Sequence, residues 1–366
     1  MFRRLFNCIC RYISLVCVCL TCFYGLILCL LQYVREVVLG PSNAKLCDAG
    51  SCVINSSGAD GAYSVDTTDS KNMKISIIIP LKNEAKYIGR TILGLETNTI
   101  DKSNVEIILV DCGCLDNSID VAKTSSGVIP IIYSKADVGQ SRGVAYNAGF
   151  ELISGSMVLF MKSDALLPYG FDMVLRNSLM VRNDTLLASF TLKLSCDANS
   201  VTSSTNTGAS PTVYNRNRAQ MTRRSQQSNI LDKQYEMEYA TVLKTIQFYM
   251  NARSKWCSLP SLSQCYCMRS DIFRQLKFKP YLVLDDLAFV TELRLHMLKM
   301  NKTRTYAQQL KFIQYDQCVG SSSIVHKYHA VGVGKYMVLE TLALILYLYD
   351  VSVVTIYTWC YKALPK

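Results

Sequence analysis

Charge is scarce in this sequence: Asp, Glu, Lys and Arg together make up 18% of 366 residues, while hydrophobic residues make up half. A chain this apolar is not a disordered tail, and one whose mean hydropathy is only slightly positive is not a multi-span transporter. No Gly-x-Gly-x-x-Gly follows the first apolar run and no Gly-x4-Gly-Lys-Ser/Thr occurs, so dinucleotide oxidoreductases and P-loop enzymes are missing their phosphate cradles. The ten cysteines beyond residue 29 hold no Cys-x2-Cys; their two close pairs, Cys112/Cys114 and Cys265/Cys267, are Cys-x-Cys. That spacing fits neither a zinc ribbon nor a thioredoxin-like site, and buried thiols are expected. At 366 residues the chain is also far too long for a small disulfide scaffold.

The apolar surplus is concentrated near the N-terminus. Ile13 to Val34 is an uncharged run of 22 residues, long enough as a helix to cross ~30 Å of hydrocarbon. It exceeds the ~7–15 apolar residues usual in a cleaved signal peptide, so an uncleaved anchor is expected. Arg3, Arg4 and Arg11 precede it, which predicts a cytoplasmic N-terminus with the bulk of the chain across the membrane. If the source is eukaryotic, this means an endomembrane such as the ER or Golgi. Sequons at Asn55, Asn183 and Asn301 fit a lumenal domain. The net charge of +11 favours anionic partners without choosing among them.

Four regions are expected. Residues 1–36 are a cytoplasmic tail and membrane anchor, and 37–73 a flexible stem rich in Ser, Gly, Asp and Thr. Residues 74–316 are the catalytic body. Residues 317–366 are a helical tail, whose Glu340 and Asp350 argue against a second span and for helices packed on the body or lying at the membrane interface. Within the body, short apolar runs alternate with helical stretches: Ile75–Pro80 then Glu84–Leu95, Val105–Val110 then Asn117–Lys123, Ile129–Tyr133 then Arg142–Ile153, and Met157–Met161. This is the pattern of an α/β fold with a parallel sheet covered on both faces. Residues 197–232 have almost no large apolar side chains and are expected to be a disordered insertion. Their four arginines are interleaved with one aromatic, Tyr214, so no nucleic-acid partner is expected.

In an open parallel sheet, ligands bind beyond the carboxyl ends of the strands. The polar residues there are Pro80, Lys82, Asn83 and Glu84 after the first run, Asp111 after the second, Arg142 opening a helix after the third, and Lys162, Ser163 and Asp164 after the fourth. One such acid is an ordinary turn residue or first-turn helix acid. Three carboxylates and an arginine on one sheet edge would converge on a single crevice. Phosphate bound there would need a strand-end carboxylate holding a divalent metal, assisted by Arg142 or Lys162.

These residues carry a resemblance. Ile77-Ile-Ile-Pro-Leu-Lys-Asn-Glu84, Leu109-Val-Asp-Cys-Gly-Cys-Leu-Asp-Asn-Ser118, Arg142-Gly-Val-Ala-Tyr-Asn-Ala-Gly149, Phe160-Met-Lys-Ser-Asp-Ala-Leu-Leu-Pro168 and Leu284-Asp-Asp-Leu-Ala-Phe-Val-Thr-Glu-Leu-Arg294 resemble, in order, the signatures of family 2 glycosyltransferases with the GT-A fold. The closest likeness is to a small bacterial-type branch, whose tail signature is matched more weakly by Ser321–Tyr328 with Gly332-Val333. The resemblance implies that Pro80, Asn83, Glu84 and Asp111 hold the nucleoside of a UDP- or GDP-sugar, with Arg142 by the base or diphosphate. Asp164 would hold a Mg²⁺ or Mn²⁺ ion, and Asp286 would be the general base, with Asp285 as an alternative base or acceptor contact.

Two departures stand out. The family's Asp-x-Asp, or His-Ala-Asp in the bacterial-type branch, is Lys162-Ser163-Asp164 here, and the tail reads His326-Lys327-Tyr328 where processive relatives have Gln-x-x-Arg-Trp. Transfer of one sugar to a glycan, protein or lipid hydroxyl is therefore expected, with inversion. The alternatives are a polyprenyl-phosphate sugar synthase and a pseudoenzyme that kept the fold after its metal site degraded.

Overall fold

Ile75–Leu81 and Val105–Asp111 are apolar at nearly every position, and nearly all their side chains are buried, as required of strands covered on both faces. In the computed structural model they form the centre of a mixed sheet. The structure describes residues 73–136, 141–181, 184–194, 258–302, 310–321 and 351–361, with Ile27, 52–54 and parts of 243–255 and 339–347.

The strands are β1 (Cys52–Ile54), β2 (Ile75–Leu81), β3 (Val105–Asp111), β4 (Ile131–Lys135), β5 (Met157–Phe160), β6 (Thr185–Leu194), β7 (Tyr266–Arg269) and β8 (Lys311–Ser321), in the spatial order β1-β8-β6-β7-β5-β2-β3-β4. All neighbours are parallel except where β7 runs antiparallel between β5 and β6. Helices α1 (Ala85–Asn98), α2 (Ser118–Thr124) and α3 (Arg142–Phe150) follow β2, β3 and β4, as the alternating pattern predicts. Short α4 (Phe171–Arg176) and α5 (Ser270–Leu276) precede α6 (Asp285–Asn301) and the single-turn α7 (Val353–Ile356).

Three elements were not expected. β6 and β8 pair over their whole lengths through two register shifts. β1 lies inside the predicted stem: its apolar triplet Cys-Val-Ile adds an edge strand to β8, with Cys52 opposite Ile313. Beyond the reach of β7, the peptide groups of Leu192 are satisfied by the side-chain amide of Asn251 at 2.8 and 2.9 Å, from the helical residues 246–255.

Much of the predicted anchor, stem and tail, and the whole 197–232 insertion, lie outside the described residues, as does His326. Among the described residues no helix is long and apolar enough to cross a membrane. In the tail, Ala343, Ile356 and Cys360 bury against Leu284, while Val354 and Trp359 point outward. The Asn301 sequon has its amide engaged with the Leu310 peptide in both directions, at 3.2 and 2.7 Å. Cys112, Cys114, Cys265, Cys267, Cys318 and Cys360 are free thiols, three of them buried.

Helix α3 is held close to the sheet because residue 149 is Gly: a Cβ there would lie 2.5 Å from Ile78 and 2.9 Å from Val110. Its Tyr146 joins Phe160, Phe273, Phe278 and Phe289 in a buried aromatic cluster with centroids 4.4–5.5 Å apart. That cluster fixes α3 and α6 relative to the end of β5, and so builds the floor of the site.

Candidate active site

Parallel pairing aligns the strand ends. Leu81 of β2 stands opposite Asp111 of β3, Ile78 opposite Phe160 of β5, and Phe160 opposite Tyr266 of β7. Continuing that register puts Lys162 level with Pro80, so Asp111, Pro80 and Lys162 sit at the ends of three adjacent strands, roughly 5 Å apart laterally.

The loops after β2 and β3 are bound to each other. Asn83, in a left-handed conformation at φ 56°, accepts from the Leu115 N–H at 2.7 Å. The Ser118 hydroxyl accepts from the Glu84 N–H at 2.8 Å, and Asp116 accepts from the Ala85 N–H at 3.1 Å and from the Ser118 hydroxyl. Asp111 folds its carboxylate onto the next turn, taking the N–H groups of Gly113 at 3.0 Å and Cys114 at 2.8 Å. Partial burial works against it, but those bonds and the charge of Lys135 hold its pKa below the ordinary carboxylate value. Gly113 has φ 85°, which suits glycine in so tight a turn. Burial pushes the neighbouring Cys112 thiol up to about 11, so it is neutral at physiological pH.

After β5 the chain is pinned at successive residues. Met161 N–H donates to Ile78 at 3.1 Å, and Tyr146 Oη donates to the Met161 carbonyl at 3.0 Å. Thr91 Oγ1 donates to the Ser163 carbonyl at 2.6 Å, and Ala165 N–H to the Lys162 carbonyl at 3.2 Å. From this fixed segment the Lys162 ammonium lies 3.9 Å from Asp164, whose side chain is fully buried. The adjoining Cys265 thiol is pushed up by burial and by the charge of Asp164.

Asp285 and Asp286 open α6, where the helix dipole favours acids. Their environments differ. Asp285 is buried and held by Arg142, whose Nε and NH2 donate to its two oxygens at 3.2 and 2.7 Å. Asp286 is half-exposed, with one oxygen accepting from Leu287 N–H at 2.9 Å and the other from Leu262 N–H at 3.4 Å. Tyr266 lies beside it; burial and the Asp286 charge push its phenol well up. The site's other left-handed residues, Cys265 (φ 53°) and Leu284 (φ 56°), immediately precede β7 and α6, where strain of this kind often accompanies function.

The structure therefore brings Pro80, Asn83, Glu84 and Asp111 together at the β2–β3 ends. Lys162 and Asp164 lie beyond β5, and Arg142, Asp285 and Asp286 where α3 meets α6. Arg142 is spent on Asp285. Sequence reasoning missed that pairing, because 143 residues separate the partners. It also missed Tyr146 and Thr91, which carry no local motif. Among the described residues no group of three His, Cys, Asp or Glu side chains is placed to hold a metal ion. The expected metal carboxylate, Asp164, is already charge-balanced by Lys162, so this donor set does not fit a resident divalent cation.

Residues 76–272, more than half of the chain, match the model of glycosyl transferase family 2, and the chain belongs to that family. It is 39% identical over 93 residues to an uncharacterised glycosyltransferase of Nostoc sp., covering 25% of this chain and 28% of that one. Over 96 residues it is 29% identical to the poly(ribitol-phosphate) β-N-acetylglucosaminyltransferase TarP of Staphylococcus aureus, covering 26% of this chain and 29% of TarP. The aligned stretch thus spans under a third of each curated relative. Among solved structures, the mannosyltransferase PcManGT of Pyrobaculum calidifontis, in complex with GDP-Man and Mn²⁺, superposes with TM-score 0.51 at 11% identity, over 96% of this chain and 82% of that one. The chain thus has the GT-A fold.

Proposed function

We propose that this protein transfers one sugar from a nucleotide donor to an acceptor hydroxyl, inverting the anomeric configuration. The observation that carries the reading is the order of side chains along one rim: Asp111, then Pro80, then Lys162 with Asp164, then Tyr266 with Asp286. That order follows a sugar nucleotide laid across the strand ends, with base and ribose over β2–β3, diphosphate at the end of β5, and sugar and acceptor at the start of α6. Asp111, Asn83 and Glu84 position the nucleoside, which is uridine or guanosine. Asp286 takes the acceptor proton as that oxygen attacks the anomeric carbon from the face opposite the departing diphosphate. Asp285 is not available for this, because Arg142 grips both of its oxygens.

PcManGT is in complex with GDP-Man and Mn²⁺, which supports a nucleotide-sugar donor here. The residues of this chain do not fit such an ion, and no step is assigned to one. In this reading the uncharged run at 13–34 anchors the enzyme in a membrane as a single-pass protein with a cytoplasmic N-terminus, and the acceptor is a glycan, protein or lipid.

The reading is tested by Asp286→Asn. Loss of a general base is expected to slow release of nucleoside diphosphate from donor by about 100-fold or more, with nucleotide affinity unchanged. Unchanged turnover would remove Asp286 from the mechanism.

A further inference from the structure

The family's metal-site signature has a cation where an acid is expected, and the structure shows where that cation sits. Lys162 is mostly buried, 14% exposed at its side chain, and its ammonium faces the fully buried Asp164 at 3.9 Å. The segment carrying both is immobilised by the bonds from Tyr146, Thr91 and Ala165 described above. It sits at the end of β5, one strand from the nucleoside positions of β2 and two from Asp111 on β3.

A divalent ion bound to Asp164 would lie close to that ammonium, in a setting where burial strengthens like-charge repulsion. The ammonium, by contrast, needs no recruitment and has three N–H donors, none of them in hydrogen-bond range of Asp164 Oδ1 at 3.9 Å.

We propose that Lys162 is a built-in replacement for the divalent cation. It binds the donor's diphosphate and balances the charge that develops there, so donor binding and transfer are independent of divalent metal. This rests on the glycosyl-transfer reading. The acceptor oxygen forms its bond to the anomeric carbon as the bond from that carbon to the diphosphate oxygen breaks. The acceptor proton passes to Asp286, and the electron pair leaves with the diphosphate, which Lys162 stabilises. Asp164 holds the ammonium in place and is a positioning residue.

Titration of the full chain in detergent with UDP and with GDP, in EDTA and in Mn²⁺, separates this from the function itself. The nucleotide that binds is expected to do so with the same Kd, within about twofold, in both conditions. Lys162→Met is expected to weaken binding by about tenfold or more in EDTA, as loss of a charge-assisted bond does. Lys162→Asp, which rebuilds Asp-x-Asp, is expected to bind poorly in EDTA and to recover in Mn²⁺. Wild-type binding that appears only with Mn²⁺, or a Lys162→Met variant with unchanged affinity in EDTA, overturns the inference and leaves the glycosyl-transfer reading standing. Binding of neither nucleotide in either condition overturns both.

Discussion

The carboxylates of this chain are sorted by their partners. Asp285 and Asp286 are adjacent in sequence, yet one is buried under an arginine fork and the other is held half-exposed by two main-chain N–H groups. Only the second is free to accept a proton. Glu106, on a central strand, is a purely structural case. Burial alone would raise its pKa, but bonds from Lys74 at 2.6 Å, Ser76 at 2.5 Å and Ser154 at 2.7 Å hold it down to about 2. A folded-state pKa below the unfolded value stabilises above the unfolded value and is lost as pH falls through the folded one. Glu106→Gln is therefore expected to destabilise the fold by roughly 1–3 kcal/mol at neutral pH. The gap in melting temperature to wild type should close as pH falls from about 4.5 towards 2; a gap that stays constant with pH would show that charge is not the cause.

The legibility of the elements followed their surroundings. β2 and β3 announce themselves because strands covered on both faces must be apolar throughout, and the polar residues at their ends are exposed by contrast. β6 and β8 were not read, since Lys311–Ser321 mixes Lys, Gln, Asp and Gly with its apolar residues and is defined by a partner more than 120 residues away. The Leu284–Arg294 motif singled out the residues that open α6, but the contact of this helix with α3 is tertiary and left no local trace. That contact depends on small residues. Gly149 lets α3 approach β2 and β3, and at Gly143 a Cβ would come within 2.8 Å of Phe278, just upstream of the acids. Gly149→Ala overpacks this layer and is expected to cost about 1–3 kcal/mol in denaturant unfolding, with reduced turnover because Arg142 moves with the helix. Stability equal to wild type would mean that the sheet gives way more easily than its packing implies.

Across the molecule, one sheet edge collects residues scattered over two hundred positions of sequence, from Pro80 to Asp286. The opposite edge carries structural networks, among them Glu106 and a cavity of about 240 Å³ lined by Thr185, Arg269 and His296. The division follows from parallel topology, which sends each strand's carboxyl end to the same side, and from β7, whose reversed direction brings its first residue, Tyr266, to that side as well. The sequence motifs identified which residues belong to the edge. The fold set their order along it, and in the proposed reading that order makes donor, leaving group and acceptor consecutive. The tail also reaches this region, through Leu284 at the head of α6, so the start of that helix is braced by Ala343, Ile356 and Cys360.

The central claim is that Asp111 and Lys162, on different strands, serve one bound sugar nucleotide. Calorimetric titration of the full chain with its nucleoside diphosphate tests it most directly. One molecule should bind per chain, Asp111→Ala and Lys162→Met should each weaken that same event by about tenfold, and the double variant should lose it. Two independent binding events, or an Asp111→Ala variant that binds as wild type does, would contradict the account.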